Sequence, residues 1–406
     1  MGGHPCVFLG AGFVTVRATS RGAQRTSIEG TRAEVLICGA SFAGLAVARE
    51  LADCGADVLV VDRYEIGERQ TSACACPTRW LEAIGVASSI KQELPYMTFA
   101  TPHGTARYRL PWSWSSFDYR QLCAALWDQC GDARFETAKV EAVGERDADG
   151  SINVITDRGT IAAPLVVDAL GWRRVLSNPH YQPPQAPLSR GLEVHPEHDG
   201  SGDALDVFIE RKIARRGFGW RVPADDEARI GVGSYDPAQH VKEETIELAG
   251  RLDRDAVRYQ GNWFPHRLRD STEDGIFFVG DSAGHCFPLS GEGIRTAFYF
   301  GIACGRELRQ VVGGQIDRST ALARYSEFSA SHQRAFSIAL RLQRIIPELP
   351  PRVLTLLLKV IGWQPLVDRA FGWYLNQAAP QFAAATVGTG RDAQSQSSPS
   401  LMGSPR

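Results

Sequence analysis

Residues 33–62 constrain the fold of this 406-residue chain most strongly, because they order a strand, a glycine turn, a helix and a second strand. The apolar run Val35–Cys38 ends at Gly39 and is typical of a buried parallel strand. An alanine- and leucine-rich helix follows, and the next strand ends in Asp62. The acid comes roughly 20 positions after the first glycine, a separation typical of a dinucleotide-binding unit.

Each residue of this stretch has a predicted physical role. Gly39 makes the tight turn, and Gly44 lets the helix pack closely on the strand. The free amides of the first helical turn attract a pyrophosphate. Asp62, with Arg63 beside it, is expected to bind an adenosine ribose and to repel a ribose 2′-phosphate. Ser41 replaces the middle glycine, so its Cβ narrows the approach while its hydroxyl could donate to a phosphate. The alternative is an ordinary strand–turn–helix unit.

A second glycine-rich stretch, residues 275–295, distinguishes between dinucleotide cofactors. A nicotinamide enzyme has no use for another strand followed by Gly280-Asp281 far downstream, whereas an FAD enzyme can hold the ribityl hydroxyls with that acid. The following loop predicts a helix N-terminus, capped by Ser290, whose amides face the flavin pyrimidine ring and stabilise the reduced flavin. The expected loop contacts are Pro288, Gly291, Gly293 and Ile294. The alternative is a glycine-rich turn before a packed helix.

Composition excludes several classes of protein. Lys+Arg 44 against Asp+Glu 46 leaves a net charge near zero, which does not favour nucleic acid as a partner. The nine cysteines are scattered without a Cys-x-x-Cys pair, as in reduced cytoplasmic proteins, and no metal is expected. No apolar run reaches the ~18 residues of a membrane span. The apolar segment 353–363 is expected either to pack in the core or to make a peripheral membrane contact.

The chain is predicted to be an α/β protein with a Rossmann-like FAD-binding domain, an α+β second domain whose β-sheet receives the substrate, and a C-terminal helical appendix. The expected segments are a disordered leader (1–32), the first part of the FAD-binding domain (33–178), the β-rich substrate domain (179–267), the returning part of the FAD-binding domain (268–315), a helical region (316–385) and a disordered tail (386–406).

Three of these motifs resemble the FAD motifs of the para-hydroxybenzoate hydroxylase superfamily. They are the first glycine stretch, the strand end Val167-Asp168-Ala-Leu-Gly171, and Val279-Gly280-Asp281. Two further stretches are similar to the geranylgeranyl reductase family: Gly217–Pro223 with the later Gly231-Val-Gly, and Pro288–Ile294. The resemblance covers about residues 33–345.

This resemblance implies a non-covalent FAD and the saturation of isoprenoid double bonds. It implies that Phe218 and Trp220, with Pro223, wall a substrate pocket; the alternative is that the aromatics are core residues of a sheet. Cys74 and Arg79 resemble the family's Cys…Arg element, although the glycines expected around them are replaced. They would line the flavin or supply a proton, unless the cysteine is an inert buried thiol.

Arg120 and His285 also have both a functional and a structural interpretation. Arg120 resembles a superfamily residue that braces FAD, but it could equally be a surface residue of its helix. His285 lies next to the flavin loop and is expected to be structural.

The favoured hypothesis is an FAD-dependent reductase of a prenyl lipid or other hydrophobic polyene, with NADPH, ferredoxin or a quinol as a transient electron donor. A flavin monooxygenase acting on an aromatic or polyketide-like substrate is the first alternative. A lycopene-cyclase-like isomerase and a non-catalytic FAD-binding protein remain as further alternatives. The expected location is the cytoplasm, with or without peripheral membrane contact.

Overall fold

The computed structural model describes residues 25–70, 72–177 and 188–384. The predicted boundary between the first two domain segments, at residues 178–179, most of the predicted leader and the predicted tail lie outside these residues. The described strands are β1 (Thr31–Arg32), β2 (Val35–Cys38), β3 (Val58–Asp62), β4 (Ala75–Pro77), β5 (Ile90–Thr101), β6 (Gly104–Phe117), β7 (Arg134–Thr137), β8 (Val140–Arg146), β9 (Ile152–Thr156), β10 (Gly159–Ala163), β11 (Leu165–Asp168), β12 (Leu188–Val194), β13 (Ala204–Phe208), β14 (Gly217–Ala224), β15 (Glu227–Ser234), β16 (Gln260–Pro265), β17 (Thr272–Glu273) and β18 (Ile276–Phe278). The described α-helices are α1 (Phe42–Glu50), α2 (Thr78–Ala83), α3 (Tyr119–Trp127), α4 (Lys242–Arg251), α5 (Ile294–Val312), α6 (Arg318–Ser331), α7 (Gln333–Ile345), α8 (Pro351–Ile361), α9 (Gln364–Leu375) and α10 (Gln381–Ala384).

A largely parallel sheet in the order β17-β18-β11-β2-β3-β7 forms the centre of the FAD-binding domain. Strand β2 is buried along its whole length, as its continuous apolar sequence predicts. Because β2, β3, β11 and β18 run parallel, their carboxyl ends share one edge of the sheet. That edge brings together Gly39, Asp62, Asp168 and Gly280, which follow or end those strands. The predicted Rossmann-like α/β fold is confirmed.

Helices α1 and α5 pack against each other through small residues, so the returning part of the chain lies beside the first glycine stretch. A Cβ on Gly301 would lie 2.7 Å from the Ala43 carbonyl oxygen, and one on Gly305 would lie 2.6 Å from Glu50 Cβ. The two helix backbones therefore approach closely only because both positions are glycine.

The second sheet has the order β16-β12-β15-β14-β13-β5-β6-β4 among the described residues. Its strands β4, β5 and β6 come from residues 75–117, which the sequence had assigned to the FAD-binding domain. The β5–β6 hairpin turns at Thr101–Gly104, and β5 also pairs in parallel with β13. Trp114 is buried on β6.

A small third sheet, β1-β10-β9-β8, corrects the predicted end of the leader. Thr31 and Arg32 pair in parallel with Ile161 and Ala162, and Ile28 is buried. The predicted disorder is therefore wrong for residues 25–32, because Thr31 and Arg32 add a strand to this sheet and Ile28 packs in the core beside it.

The C-terminal helices cover the hairpin of the second sheet. The Tyr108 hydroxyl donates to the Leu358 carbonyl at 2.6 Å, and the hydroxyls of Thr101 and Thr355 lie 2.7 Å apart. Among the described residues, none of the helices has both the length and the apolar character needed to cross a bilayer.

Candidate active site

A mostly apolar cavity of about 1360 Å³ lies between the edge of the parallel sheet, the second sheet and the C-terminal helices. Pockets for single small ligands usually measure about 300–1,000 Å³. This cavity is therefore large enough for a dinucleotide and a second molecule beside it. Most of the predicted cofactor and substrate residues contribute to its wall, namely Ser41, Asp62, Arg63, Phe218, Trp220, Gly280, Asp281, Pro288, Gly291, Gly293 and Ile294.

One end of the cavity is formed by the N-terminus of helix α1. Its N-cap, Ser41, has an extended backbone, and within the described residues α1 has neither a side-chain cap nor an acid in its first turn. The Ser41 hydroxyl instead accepts a hydrogen bond from the Tyr119 hydroxyl at 3.1 Å. The first amides of α1 consequently face the cavity with the positive end of the helix dipole, which suits a pyrophosphate.

Asp62 stands beside this helix end. Its carboxylate accepts hydrogen bonds from the amides of Ala40 at 2.8 Å and Tyr64 at 3.0 Å. Burial raises the pKa of Asp62, and the two amides offset part of that increase. The carboxylate thus fixes the glycine turn and also presents acceptors to the cavity, as a ribose-binding acid would.

Gly39, Gly44 and Asp168 lie beneath the cavity wall and support the turn and the loops that form it. A Cβ on Gly44 would lie 1.8 Å from the Gly39 carbonyl oxygen, so no larger residue fits the turn. The Asp168 carboxylate is buried and accepts from the Ser282 hydroxyl at 2.7 Å and from the Leu176 amide at 2.9 Å. Burial raises its pKa, and these donors offset part of that effect. Asp168 braces the loops and does not itself face the cavity.

The other end of the cavity is formed by residues 280–294. Helix α5 begins at Ile294 with Gly293 as its N-cap, so the predicted cap, Ser290, is wrong. The Ser290 hydroxyl instead accepts from the Glu292 amide at 3.3 Å and lies 2.9 Å from the Tyr374 hydroxyl. Within the described residues α5 also lacks a side-chain cap and an acid in its first turn, which leaves its amides free for a flavin carbonyl.

Asp281 lines the cavity between the two helix ends. Burial raises the pKa of Asp281 to about 6, and the nearby Arg269 offsets part of the increase. A carboxylate at this point can accept hydrogen bonds from the hydroxyls of a ribityl chain. Two uncapped helix N-termini, with an acid beside each, therefore match the pyrophosphate, ribose, ribityl and flavin groups of FAD.

The Trp220 ring packs over several glycines of the second sheet. Strand register places it opposite Gly231, and a Cβ there would lie 2.3 Å from Trp220 Cζ2. Gly191 and Gly233 border the same ring. The indole Nε1 donates to Glu193 Oε2 at 3.1 Å, which fixes the ring in the cavity wall beside Phe218.

Besides Gly39, Gly44 and Asp168, four more of the predicted site residues lie outside the cavity wall. Pro223 is buried in β14, and Arg120 is an exposed residue of α3. Arg79 is exposed, with its guanidinium over the ring of Trp112. Cys74 is fully buried, and burial raises the pKa of its thiol well above the ordinary value. The thiol therefore stays protonated and is not prepared for nucleophilic chemistry.

His285 packs in the core, as expected for a structural residue. Its ring stacks on Phe300 with centroids 3.7 Å apart, and Nε2 lies 3.1 Å from the Ser329 hydroxyl. Burial lowers the pKa of His285 well below its ordinary value. The imidazole is consequently neutral.

Several cavity residues were missed in the sequence. Glu193, Gln260 and Phe264 line it from β12 and β16, and Leu354 and Leu358 line it from α8. Glu193 stands in a strand that also contains Ser189 and Arg190, so the local sequence pattern does not single it out. The others carry no local pattern that separates a cavity wall from a core.

Comparisons with known proteins agree with this geometry. Residues 32–133 match the sequence model of an FAD binding domain. Digeranylgeranylglycerophospholipid reductase 2 of Methanopyrus kandleri is 23% identical over 365 residues, which cover 82% of this chain and 91% of that protein. The menaquinone reductase of Mycolicibacterium smegmatis is 24% identical over 363 residues, which cover 78% and 85% of the two chains.

Two solved structures show the same fold. A geranylgeranyl bacteriochlorophyll reductase-like protein from Thermoplasma acidophilum has a TM-score of 0.74 at 15% identity, covering 87% of this chain and 98% of that one. A p-nitrophenol 4-monooxygenase from Pseudomonas putida has a TM-score of 0.69 at 14% identity, covering 86% and 98%. The predicted FAD cofactor and the predicted resemblance to geranylgeranyl reductases are thus confirmed, and this protein is an FAD-dependent oxidoreductase.

Proposed function

We propose that this oxidoreductase reduces carbon–carbon double bonds of a prenyl lipid or another hydrophobic polyene. The observation that carries the proposal is the continuity of the cavity, which extends from the loop 288–293 past Trp220 to the apolar side of α8. A long apolar channel of this kind suits an extended hydrocarbon better than a compact aromatic ring. Relatives named as prenyl-lipid and quinone reductases support the same substrate class.

The chain's own residues would hold the cofactor and shield the reaction. The α1 amides and Asp62 would bind the diphosphate and ribose, Asp281 the ribityl chain, and the α5 amides the flavin pyrimidine. When bound and reduced, FAD supplies a hydride from N5 of its flavin ring. Phe218 and Trp220 would hold the polyene against that ring and exclude water from the reacting carbons.

The electron donor is proposed to dock transiently, because residues 33–62 are the one dinucleotide-binding unit that the described sequence displays. NADPH, ferredoxin and a quinol are the candidates. Each candidate is mixed with the protein under anaerobic conditions. The absorbance of the bound flavin then shows which candidate reduces it and is therefore the donor.

Anaerobic mixing of the reduced protein with geranylgeranyl compounds tests the proposal. We expect the flavin to be reoxidised and the product to be two hydrogens heavier. A product of unchanged mass would indicate cyclisation. NADPH oxidation coupled to oxygen insertion would favour the monooxygenase alternative, which has a structural neighbour of the same fold. Absence of reoxidation by every polyene would overturn the reductase.

We also propose that α8 makes a peripheral membrane contact. Leu356 and Val360 of α8 are 63% and 53% exposed, and Trp363, just beyond its end, is 66% exposed, while Leu354 and Leu358 of α8 line the cavity. The helix would therefore present one apolar side to lipid and the other to the substrate.

Flotation with phosphatidylcholine vesicles tests this contact. The wild-type protein should float with the vesicles, and the variant Leu356→Glu/Val360→Glu should not. Val143→Glu is a matched control, because Val143 is an exposed apolar residue of β8 in the third sheet. Equal flotation of all three proteins would refute the contact.

A further inference from the structure

Glu193 is an acid in the otherwise apolar substrate half of the cavity, and it is only 3% exposed. Its Oε2 accepts from Trp220 Nε1, and its Oε1 lies 2.9 Å from His195 Nε2 and 2.5 Å from Gln260 Nε2. A buried carboxylate costs several kcal/mol unless it is hydrogen-bonded, and these partners offset that cost. A neutral glutamine could fix Trp220 equally well, so the ionisable group itself calls for an explanation.

His195 connects this acid to the protein surface. Its Nδ1 lies 3.8 Å from Glu227 Oε2, and the same carboxylate oxygen lies 3.5 Å from the exposed Arg258. The imidazole therefore stands between two carboxylates, with one ring nitrogen directed to each. A histidine in this position can accept a proton on one nitrogen and release one from the other. Among the described residues, Arg229 also pairs with Glu227, and the buried thiol of Cys74 lies near Glu193.

Glu193 is also close to the flavin-binding loop. Gly191 precedes it by two residues on the same face of β12, and a Cβ on Gly191 would lie 3.4 Å from Phe264 Cε1. A Cβ on Gly291, in the loop, would lie 3.3 Å from Cε2 of the same ring. The Phe264 ring thus separates the strand that carries Glu193 from the loop that faces the flavin.

We propose that Glu193 is the acid that protonates the substrate and that His195 and Glu227 return a proton to it from solvent. This inference rests on the proposed double-bond reduction. The alkene receives a hydride on one carbon from the reduced cofactor and a proton on the adjacent carbon from Glu193. The π bond breaks, two C–H bonds form, and two electrons leave the cofactor. The resulting Glu193 carboxylate regains its proton through His195.

The variant Glu193→Gln separates the acid from its structural role, since glutamine matches its size and still accepts from the Trp220 indole. We expect unchanged FAD content and unfolding, a single-turnover flavin reoxidation about 100-fold slower, and loss of its pH dependence. His195→Gln should alter the pH profile in the same reaction. Glu210→Gln is the matched control, because it makes the same change at a carboxylate that pairs with Arg251 outside the cavity wall, and its rate should stay within about fivefold of wild type.

A second measurement does not depend on turnover. The NMR signal of the Trp220 Nε1–H, assigned by its loss in Trp220→Phe, should shift with pH in the wild-type protein and stay constant in Glu193→Gln. A wild-type signal that is constant between about pH 4 and 9 would overturn the inference. So would a Glu193→Gln variant with the wild-type rate and pH profile. A wild-type protein that reduces no polyene would instead overturn the proposed function.

Discussion

The packing of Gly231 and Gly233 against the Trp220 ring allows a quantitative prediction, because a Cβ added at each glycine would lie at a different distance from that ring. A Cβ on Gly231 would lie 2.3 Å from Trp220 Cζ2 and 2.7 Å from the Leu192 carbonyl oxygen, whereas one on Gly233 would lie 3.2 Å from Cζ3. Neither glycine has a left-handed backbone conformation, so the effect of alanine is purely steric. Gly231→Ala must displace the indole, and Gly233→Ala need only shift it slightly.

The expected costs follow from these contacts. Overpacking at Gly231 costs about 1–3 kcal/mol, and the displaced ring loses its hydrogen bond to Glu193, about 0.5–1.5 kcal/mol more. The reduced entropy of the unfolded chain returns about 0.4–1 kcal/mol. Gly231→Ala should therefore destabilise the protein by roughly 1–4 kcal/mol, and Gly233→Ala by less than about 1 kcal/mol.

Urea unfolding of the two variants, alone and combined with Trp220→Ala, measures these costs. Removing the indole should lower the cost of Gly231→Ala by about 1–3 kcal/mol, although the contact with the Leu192 carbonyl remains. The cost of Gly233→Ala should hardly change. Equal costs for the two alanines, or no reduction of the Gly231→Ala cost without the indole, would refute the steric argument.

Three further outcomes are expected. Because burial raises the pKa of Asp281 to about 6, and we propose that its ionised form accepts the ribityl hydroxyls, FAD should bind more tightly as the pH rises through about 6. Asp281→Asn should flatten that dependence in a fluorescence titration; an unchanged slope would contradict the contact. Cys74→Ala should leave single-turnover rates unchanged, since the thiol lies outside the cavity wall; a large loss would restore it as a proton source. Arg295→Met should destabilise the fold by about 3–5 kcal/mol in urea, because it leaves the buried Glu292 without its ion-pair partner, which lies 2.7 Å away. Tyr374→Phe, which removes one hydrogen bond to Glu292, is its control and should cost about 1–1.5 kcal/mol.

The cofactor-binding part of the fold could be predicted because its signals are local. Gly39, Gly44 and Asp62 occupy a single strand–turn–helix–strand unit, so their spacing alone places them at one edge of a parallel sheet. The second stretch around Gly280 also ends a strand of that sheet. Its position beside the first stretch depends on the close packing of α1 and α5, which the small residues Gly301 and Gly305 permit.

The sheet membership of the hairpin β5–β6 could not be predicted in the same way. Its alternating sequence indicates strands, but it does not specify the partner. The parallel pairing of β5 with β13 joins residues far apart in the chain, and Met97 and Phe99 of β5 line the cavity. A local pattern indicates strands here, but it does not specify the sheet that they join.

The same limit explains why the sequence indicates Cys74 as a proton source, whereas the structure leads us to propose Glu193. Cys74 resembles the Cys…Arg element of the geranylgeranyl reductase family in its type and position. Its thiol, however, is buried behind the cavity wall, where desolvation keeps it protonated. Glu193 is recognisable only through register, which places it opposite Gly231 on β15 and Gln260 on β16. Since Gly231 leaves the space in which the Trp220 indole reaches the Glu193 carboxylate, the tryptophan of the motif and the acid outside it form one unit. The hydrogen bond between Trp220 and Glu193 thus holds both a wall of the proposed substrate pocket and the proposed proton donor. A substitution of either residue should disturb the other.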